Sequence, residues 1–156
     1  MANPFVLDIS RFVQRAQGNS RAVVKKIFLD LGTAIVGATP VGDPDEWKRA
    51  APPGYVGGRA RGSWQYGFNS PTPAEGAIDG RPVDKDNPSA HSATARLAAG
   101  VEGNPAFGVH YITSTVPYMR RLEYEAWSRQ APDGMVRKTI VEFQQFVDDA
   151  CREVNP

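Results

Sequence analysis

Apolar side chains recur at three- and four-residue spacing in three stretches of the chain, and each stretch predicts a helix. The first covers residues 9–17, and Gly18 is expected to end it. The second covers residues 20–36, where a broad apolar stripe lies opposite Arg and Lys side chains. The third covers residues 135–150, and Asp133 is its expected N-cap.

The middle of the chain alternates between short β-like runs and segments rich in Pro and Gly. Residues 39–61 contain too many prolines and glycines for a long helix, so we expect a structured excursion there. The run GSWQYGF at 62–68 has three aromatic side chains at period two, which predicts a strand with an aromatic face. Residues 109–115 (VHYITST) predict a second strand, and residues 94–99 predict a further short one. The polar residues 69–92 predict a long loop or arm that orders only against a partner.

Residues 118–125 follow a proline and predict a short helix. The order helix, helix, strands, helix is typical of an α+β fold, with an antiparallel sheet packed against an N-terminal helix pair and a C-terminal helix. A length of 156 residues favours a single domain, residues 1–156. The aromatic strand face and the apolar helix stripes have to cover each other, so we expect Phe28, Trp64 and Phe143 to be buried together.

Composition and charge narrow the classes of function. The chain has 41% apolar and 22% charged residues, which is typical of a folded domain. A formal net charge of +1 provides no global field that would hold nucleic acid or an anionic membrane. Locally, residues 1–36 are basic and residues 139–156 are acidic, so the helices predicted there could pair within one protomer or between neighbours.

The single cysteine, Cys151, excludes an internal disulfide and favours a reducing compartment. We expect Cys151 to be buried and inert on the apolar side of the last helix. No apolar run approaches the ~20 residues that span a bilayer, and the N-terminus lacks the pattern of a signal peptide. These features predict a protein made and used in the cytoplasm, or carried in a particle.

Groups that could perform catalysis or bind a metal are sparse. His110 lies in a predicted strand, and His91 lies in the polar arm without a second ligand at metal spacing. Glu123 and Glu125 would point about 200° apart on a helix, so they could not face one substrate as acid and base. The glycine clusters lack the strand-to-helix pattern of a dinucleotide or phosphate site. We therefore expect no cofactor, no metal and no catalytic site.

The most distinctive segment is 114–139 (STVPYMRRLEYEAWSRQAPDGMVRKT), in which charges of both signs alternate with aromatic and turn residues. Such a segment is typical of a protein-contact surface, because complementary charges steer a partner and set its register. We expect contacts between protomers or with a partner on residues 118–137 and on the arm near 84–91. The candidate interface residues are Asp84, His91, Tyr118, Arg120, Arg121, Glu123, Glu125, Arg129, Gln130 and Arg137.

Four short motifs follow one another along the chain: Thr39-Pro40-Val41, Arg61-Gly62-Ser63-Trp64, Pro117-Tyr118 with Leu122-Glu123-Tyr124, and Gln130-Ala131-Pro132 with Gly134-Met135-Val136-Arg137. In this order they resemble the tail-completion, or head-tail joining, proteins of tailed bacteriophages. The chain departs from that family's pattern at an insertion over 42–55 and at Glu125, where glycine is more usual. The polar arm at 69–92 has no clear counterpart in the family.

The resemblance implies a non-enzymatic virion protein that is assembled in the host cytoplasm and located at the neck of the phage. It implies an α+β protomer that forms a homo-oligomeric ring, a hexamer or alternatively a dodecamer, around the DNA channel. The implied partners are further copies of the chain and adjacent neck proteins, such as a tail terminator, a head-completion adaptor or the portal. Genomic DNA would pass through the ring without sequence readout, and no membrane is involved.

Two other classes of function stay open. A small nucleic-acid-binding module is favoured by Arg59 and Arg61 beside the aromatic residues of the first predicted strand. Those aromatics alternate as they would in a core strand, which weakens this interpretation. An enzyme that uses His110 or Glu123 is the other alternative, and it would require activity that an alanine substitution removes.

Overall fold

The computed structural model describes residues 4–55, 57–72 and 88–154, and it confirms an α+β fold. The elements, in chain order by type, are α1 (Pro4–Ala38), α2 (Arg59–Gly62), α3 (Pro88–Gly103), α4 (Met119–Tyr124), α5 (Val136–Val141) and α6 (Phe143–Val154), the strands β1 (Gln65–Phe68) and β2 (His110–Thr113), and a 3-10 helix at Pro44–Glu46. Within the described ranges, the helices lack the length of apolar sequence that spanning a bilayer requires.

In the described part of the chain, β1 and β2 form a two-stranded antiparallel sheet with Phe68 opposite His110. Both strands were predicted, and β2 is shorter than the predicted 109–115. Aromatic contacts hold the sheet against α1: the ring of Phe28 meets Tyr66 edge to face, with centroids 5.8 Å apart, and lies 5.0 Å from His110. The prediction that the aromatic side of β1 packs against a helix is therefore confirmed.

One continuous helix, α1, replaces the two helices predicted near the N-terminus. Gly18 lies inside α1 with open space beside it, and the hydroxyl of Ser20 donates to the carbonyl of Ala16 (2.9 Å), a bond typical of a helix interior. A glycine inside a helix costs about 1 kcal/mol relative to alanine. Packing of α1 against α3 and α6 offsets that cost, so the predicted break at Gly18 is wrong.

Residues 94–99 belong to α3, so the short strand predicted there is wrong. Residues 88–92 also belong to α3, so the polar arm predicted over 69–92 is wrong at its C-terminal end, and residues 73–87 lie outside the described residues. Ala93, Leu97 and Val101 lie four positions apart and are at most 1% exposed, which is the buried stripe of a helix. The alanine-rich segment has high helix propensity and small side chains that allow close packing. A Cβ at Gly100 would lie 2.3 Å from the ring of Tyr66, so glycine lets α3 lie directly on β1.

The core lies where α1, α3 and the segments around α2, α4 and α5 meet. Its buried residues are Ile35, Val36, Ala60, Trp64, Ala93, Leu97, Leu122, Ala131 and Met135. The burial of Trp64 is confirmed, but Phe143 is 46% exposed, so the predicted joint burial of Phe28, Trp64 and Phe143 is wrong. The predicted single helix is interrupted at Glu142, so Phe143 is the first residue of a separate helix, α6, and does not continue the buried side of α5.

The basic helix α1 and the acidic helix α6 pack against each other within the protomer. Lys26 forms ion pairs with Glu153 and with Asp30, each at 3.0 Å. Hydrogen bonds to Glu153 and then to Asp30 raise the pKa of Lys26 above its usual value. Ala150 is fully buried in this contact, whereas Cys151 is exposed, so the expectation of a buried cysteine is wrong.

We predict that Leu97→Ala lowers the free energy of unfolding by about 2–5 kcal/mol, because it leaves a cavity in the core. Phe143→Ala removes a larger side chain that is already half exposed, and we expect a cost of about 1 kcal/mol or less. Urea denaturation with comparable m-values measures both changes. Equal losses for the two variants would contradict the exposed position of Phe143.

Candidate functional site

The C-terminal end of α1 is tied to the segment that precedes β1. Thr39 is fully buried, and its hydroxyl donates to the carbonyl of Ile35 (2.7 Å) and accepts from the indole N–H of Trp64 (2.8 Å). Arg61 donates to the carbonyl of Thr39 (2.7 Å) and to that of Gly37 (3.3 Å). The last carbonyls of a helix have no partner inside the helix, so Arg61 caps α1 from a distant segment.

Two residues of the predicted nucleic-acid face, Arg61 and Trp64, are engaged inside the protomer. The guanidinium of Arg61 donates to the carbonyls of Gly37 in α1 and of Thr39 just after it, and partial burial lowers its pKa below the usual value. Trp64 is 4% exposed, so its ring offers no surface on which a base could stack.

The loop after α4 reaches back to the residue that follows Pro40. The side-chain amide of Gln130 donates to the carbonyl of Val41 (2.8 Å), and its oxygen accepts from the Val41 N–H (3.1 Å). This pair of opposed hydrogen bonds joins segments 89 positions apart. Gln130 is an exposed candidate interface residue whose amide has this role inside the protomer, and its contact with a partner stays a prediction.

Glu123 caps α5 from the end of α4. It is 7% exposed, and its carboxylate accepts from the backbone N–H groups of Met135 (2.8 Å), Val136 (3.0 Å) and Arg137 (2.8 Å). The guanidinium of Arg137 also donates to the carbonyl of Glu123. Free N–H groups and positive dipole at a helix N-terminus favour such a carboxylate. The expectation that Glu123 contacts another protomer is therefore corrected to a role inside the protomer.

The turn before α5 depends on glycine. Gly134 has φ 81°, and a Cβ there would lie 2.6 Å from the carbonyl oxygen of Glu123 and 2.7 Å from its Oε1. Met135 occupies the N-cap position without a side-chain capping bond. The prediction that Asp133 caps the last helix is wrong, because Glu123 performs that role across the turn.

An exposed aromatic and basic surface lies over this network. The rings of Trp127 and Tyr118 meet edge to face, with centroids 5.9 Å apart. The guanidinium of Arg121 lies 5.6 Å from the centroid of the Trp127 ring. The guanidinium of Arg137 lies 5.2 Å from the ring of Tyr124. Tyr124 is 64% exposed and Trp127 is 57% exposed. We use the name α4–α5 surface for a group of exposed side chains of α4, of α5 and of the loop between them, which are Arg120, Arg121, Tyr124, Glu125, Trp127, Arg129, Arg137, Lys138 and Val141.

Positive charge dominates the α4–α5 surface. Arg121 and Glu125 form an ion pair at 3.9 Å, and both side chains are more than half exposed, so this pair contributes at most about 1 kcal/mol. Within the described residues, no acidic side chain lies within ion-pair distance of Arg120, Arg129 or Lys138. These exposed cations are available to a partner.

The structure brings only part of the predicted site together. Asp84 lies outside the described residues, and His91 belongs to α3 but its side chain lies outside them, so the role of the arm stays a prediction. Tyr124 and Trp127 lie within the predicted contact range 118–137 but were not among the named candidates, and Val141 lies outside that range. Their signal is large apolar side chains within a charged segment. The predicted residues that share the surface or border it are Tyr118, Arg120, Arg121, Glu125, Arg129 and Arg137.

His110 has a structural role, as its position in a strand predicted. Its Nε2 donates to the carbonyl of Ala106 (3.0 Å), so in the neutral ring Nδ1 accepts from the hydroxyl of Tyr66 (2.9 Å). The ring of Phe68 lies 5.2 Å away. Among the residues that the structure describes, no group of three or more His, Cys, Asp or Glu side chains is placed to hold a metal ion.

Comparisons with protein-family models, curated proteins and solved structures found no match to this chain. The function is therefore inferred from the geometry of the site and from the sequence motifs. That geometry combines a buried polar network with an exposed surface rich in Trp, Tyr and Arg, which are the residues enriched at the centres of protein interfaces.

We predict that Glu123→Gln lowers the free energy of unfolding by about 1–3 kcal/mol, because an amide NH₂ cannot accept from the backbone N–H groups of α5. Glu125→Gln is the matched control at an exposed position, and we expect a change within about 0.5 kcal/mol. Thermal and urea denaturation measure both variants. A difference of less than about 0.5 kcal/mol between them would argue against the capping role.

We also predict that Gly134→Ala destabilises the protein by more than about 1 kcal/mol, because alanine is strained at positive φ and its methyl group would meet Glu123. Gly18→Ala is the control, since it fills open space inside a helix and should stabilise by up to about 1 kcal/mol. Opposite shifts of the melting temperature are expected. A Gly134→Ala variant as stable as the natural protein would show that the turn can open without cost.

Proposed function

We propose that the protein is a non-enzymatic virion protein of a tailed bacteriophage that completes or joins the tail at the neck. In this proposal identical copies form a ring around the DNA channel, with six copies and alternatively twelve. Adjacent neck proteins, such as a tail terminator, a head-completion adaptor or the portal, bind above or below the ring. The DNA passes through it without sequence readout.

The observation that carries the proposal is the meeting of all four motifs in one hydrogen-bonded network. Thr39 contacts Arg61 and Trp64, Val41 contacts Gln130, and Glu123 contacts 135–137. Motifs that matched by coincidence would have no reason to contact one another in space, whereas motifs that define a family's scaffold are expected to be in contact. This network therefore supports the resemblance from which the function is inferred.

The α4–α5 surface supports assembly as the activity. Tyr124 and Trp127 are more than half exposed, and Val141 is 85% exposed. Neighbouring large apolar groups on the surface of a soluble protein mark interaction sites, and Trp, Tyr and Arg contribute most to binding energy at interfaces. Closed cyclic symmetry is the usual outcome when two different surfaces of one chain bind each other without forming filaments.

The alternative, a nucleic-acid-binding module, has less support. It was based on Arg59 and Arg61 beside aromatic residues, and Arg61 instead caps α1 while Trp64 is buried. An enzymatic function at His110 or Glu123 also has less support, because both side chains are engaged in structural hydrogen bonds.

We predict that the purified protein forms closed rings of one symmetry in negative-stain images, with a matching mass by sedimentation velocity. Virions of the phage should contain the protein, and phage that lack it should accumulate heads and tails that fail to join or function. The proposal is wrong if the protein is a monomer at every concentration and virions without it have normal tails.

A further inference from the structure

We infer that the α4–α5 surface of one copy binds helix α6 of the next copy, head to tail. The inference rests on the proposed function, because it identifies the contact from which the ring would be built. It follows from the charges of the two surfaces and from their separate positions in the fold.

The excess of positive charge on the α4–α5 surface disfavours a contact between two such surfaces. Arg120, Arg129 and Lys138 are exposed and have no ion-pair partner among the described residues. Arg121 forms an ion pair with Glu125. A twofold contact would place these cations against their own copies, and juxtaposed like charges cost several kcal/mol. The occupant of this surface therefore carries negative charge.

The apolar groups of the same surface favour a protein over nucleic acid. Arg121 lies over the ring of Trp127 and Tyr118 contacts it edge to face, so this ring is not a free platform for a base. Val141 is 85% exposed and lies one helical turn after Arg137, so it is on the same side of α5. A nucleic acid that bound Arg137 through its phosphate backbone would give the apolar side chain of Val141 no favourable contact. A protein segment can satisfy both the cations and the apolar groups.

Helix α6 provides the matching negative charge within this same chain. It carries Asp148, Asp149 and Glu153 against Arg152, and it is the described α-helix with a net negative charge. The acidic 3-10 helix at Pro44–Glu46 is a weaker candidate, because two basic residues follow it directly at 48 and 49.

The outer side of α6 exposes the carboxylate of Asp148, whereas Asp149 is ion-paired with Arg152 of the same helix (2.9 Å). Burial of Ala150 and the ion pair of Glu153 with Lys26 hold the inner side of α6 on α1. Asp148 is exposed, and its carboxylate accepts from the neutral side chain of Gln144 (2.9 Å), so its charge is not neutralised there. A contact between this side of α6 and the α4–α5 surface uses two different surfaces of one chain, as a ring requires.

Charge reversal on each surface tests the contact. One variant combines Arg120→Glu with Arg129→Glu, and the other combines Asp148→Lys with Asp149→Lys. Each variant alone brings like charges together at every contact, and we expect at least a tenfold loss of ring formation by sedimentation velocity. An equimolar mixture restores opposite charges at every contact, so we expect rings in which the two variants alternate.

Lys48→Glu with Arg49→Glu is the matched control, because it reverses two exposed charges that belong to neither surface and should leave the rings intact. Circular dichroism and thermal melting check that each variant is folded. If a reversal prevents folding, the neutral pairs Arg120→Gln with Arg129→Gln and Asp148→Asn with Asp149→Asn replace it, and we expect each to weaken assembly about tenfold.

The possible failures are distinguishable. Rings that persist in both folded variants, or a mixture that stays monomeric, would overturn this contact and leave the proposed function standing. A natural protein that never forms rings, with normal virions in its absence, would refute the proposed function itself. Salt-dependent binding of a DNA oligonucleotide that Arg120→Glu with Arg129→Glu abolishes, while rings persist, would assign the surface to nucleic acid instead.

Discussion

Backbone groups at helix ends lack partners inside the helix, and in this protein side chains from distant segments satisfy them. The carboxylate of Glu123 accepts three N–H groups at the start of α5, and Arg61 donates to carbonyls at the end of α1. The sheet is too small to organise the chain, since it has four residues in each strand. These polar contacts, together with the burial of Trp64 and Leu97, determine how the helices are placed.

The same contacts decide which side chains remain for a partner. With Glu123 occupied at α5, the charge left on the exposed surface is mostly positive. Rings and guanidinium groups then stack on one another, as Arg121 does on Trp127 and Arg137 does on Tyr124. Such stacking limits side-chain freedom before a partner binds, so less conformational entropy is lost on association.

The fold class and most element positions follow from apolar periodicity, because burial imposes that pattern locally. The prediction failed at 94–99, where small alanines hid the four-residue spacing around Leu97, and at Phe143, where the predicted helix is interrupted at Glu142. The charges of residues 118–137 indicated a candidate contact surface, whose role stays a prediction. The role of Glu123 was not, because its partners lie 12 to 14 positions along the chain and no local pattern specifies that contact.

The cap between Glu123 and α5 has a consequence for how the chain folds. Helix α5 has six residues, which is too short to persist by itself in water. Its first turn is completed by a side chain from α4, so neither helix is complete until the two have met. The amides of 119–124 and 136–141 should therefore open together in hydrogen exchange, as one cooperative unit of the protein.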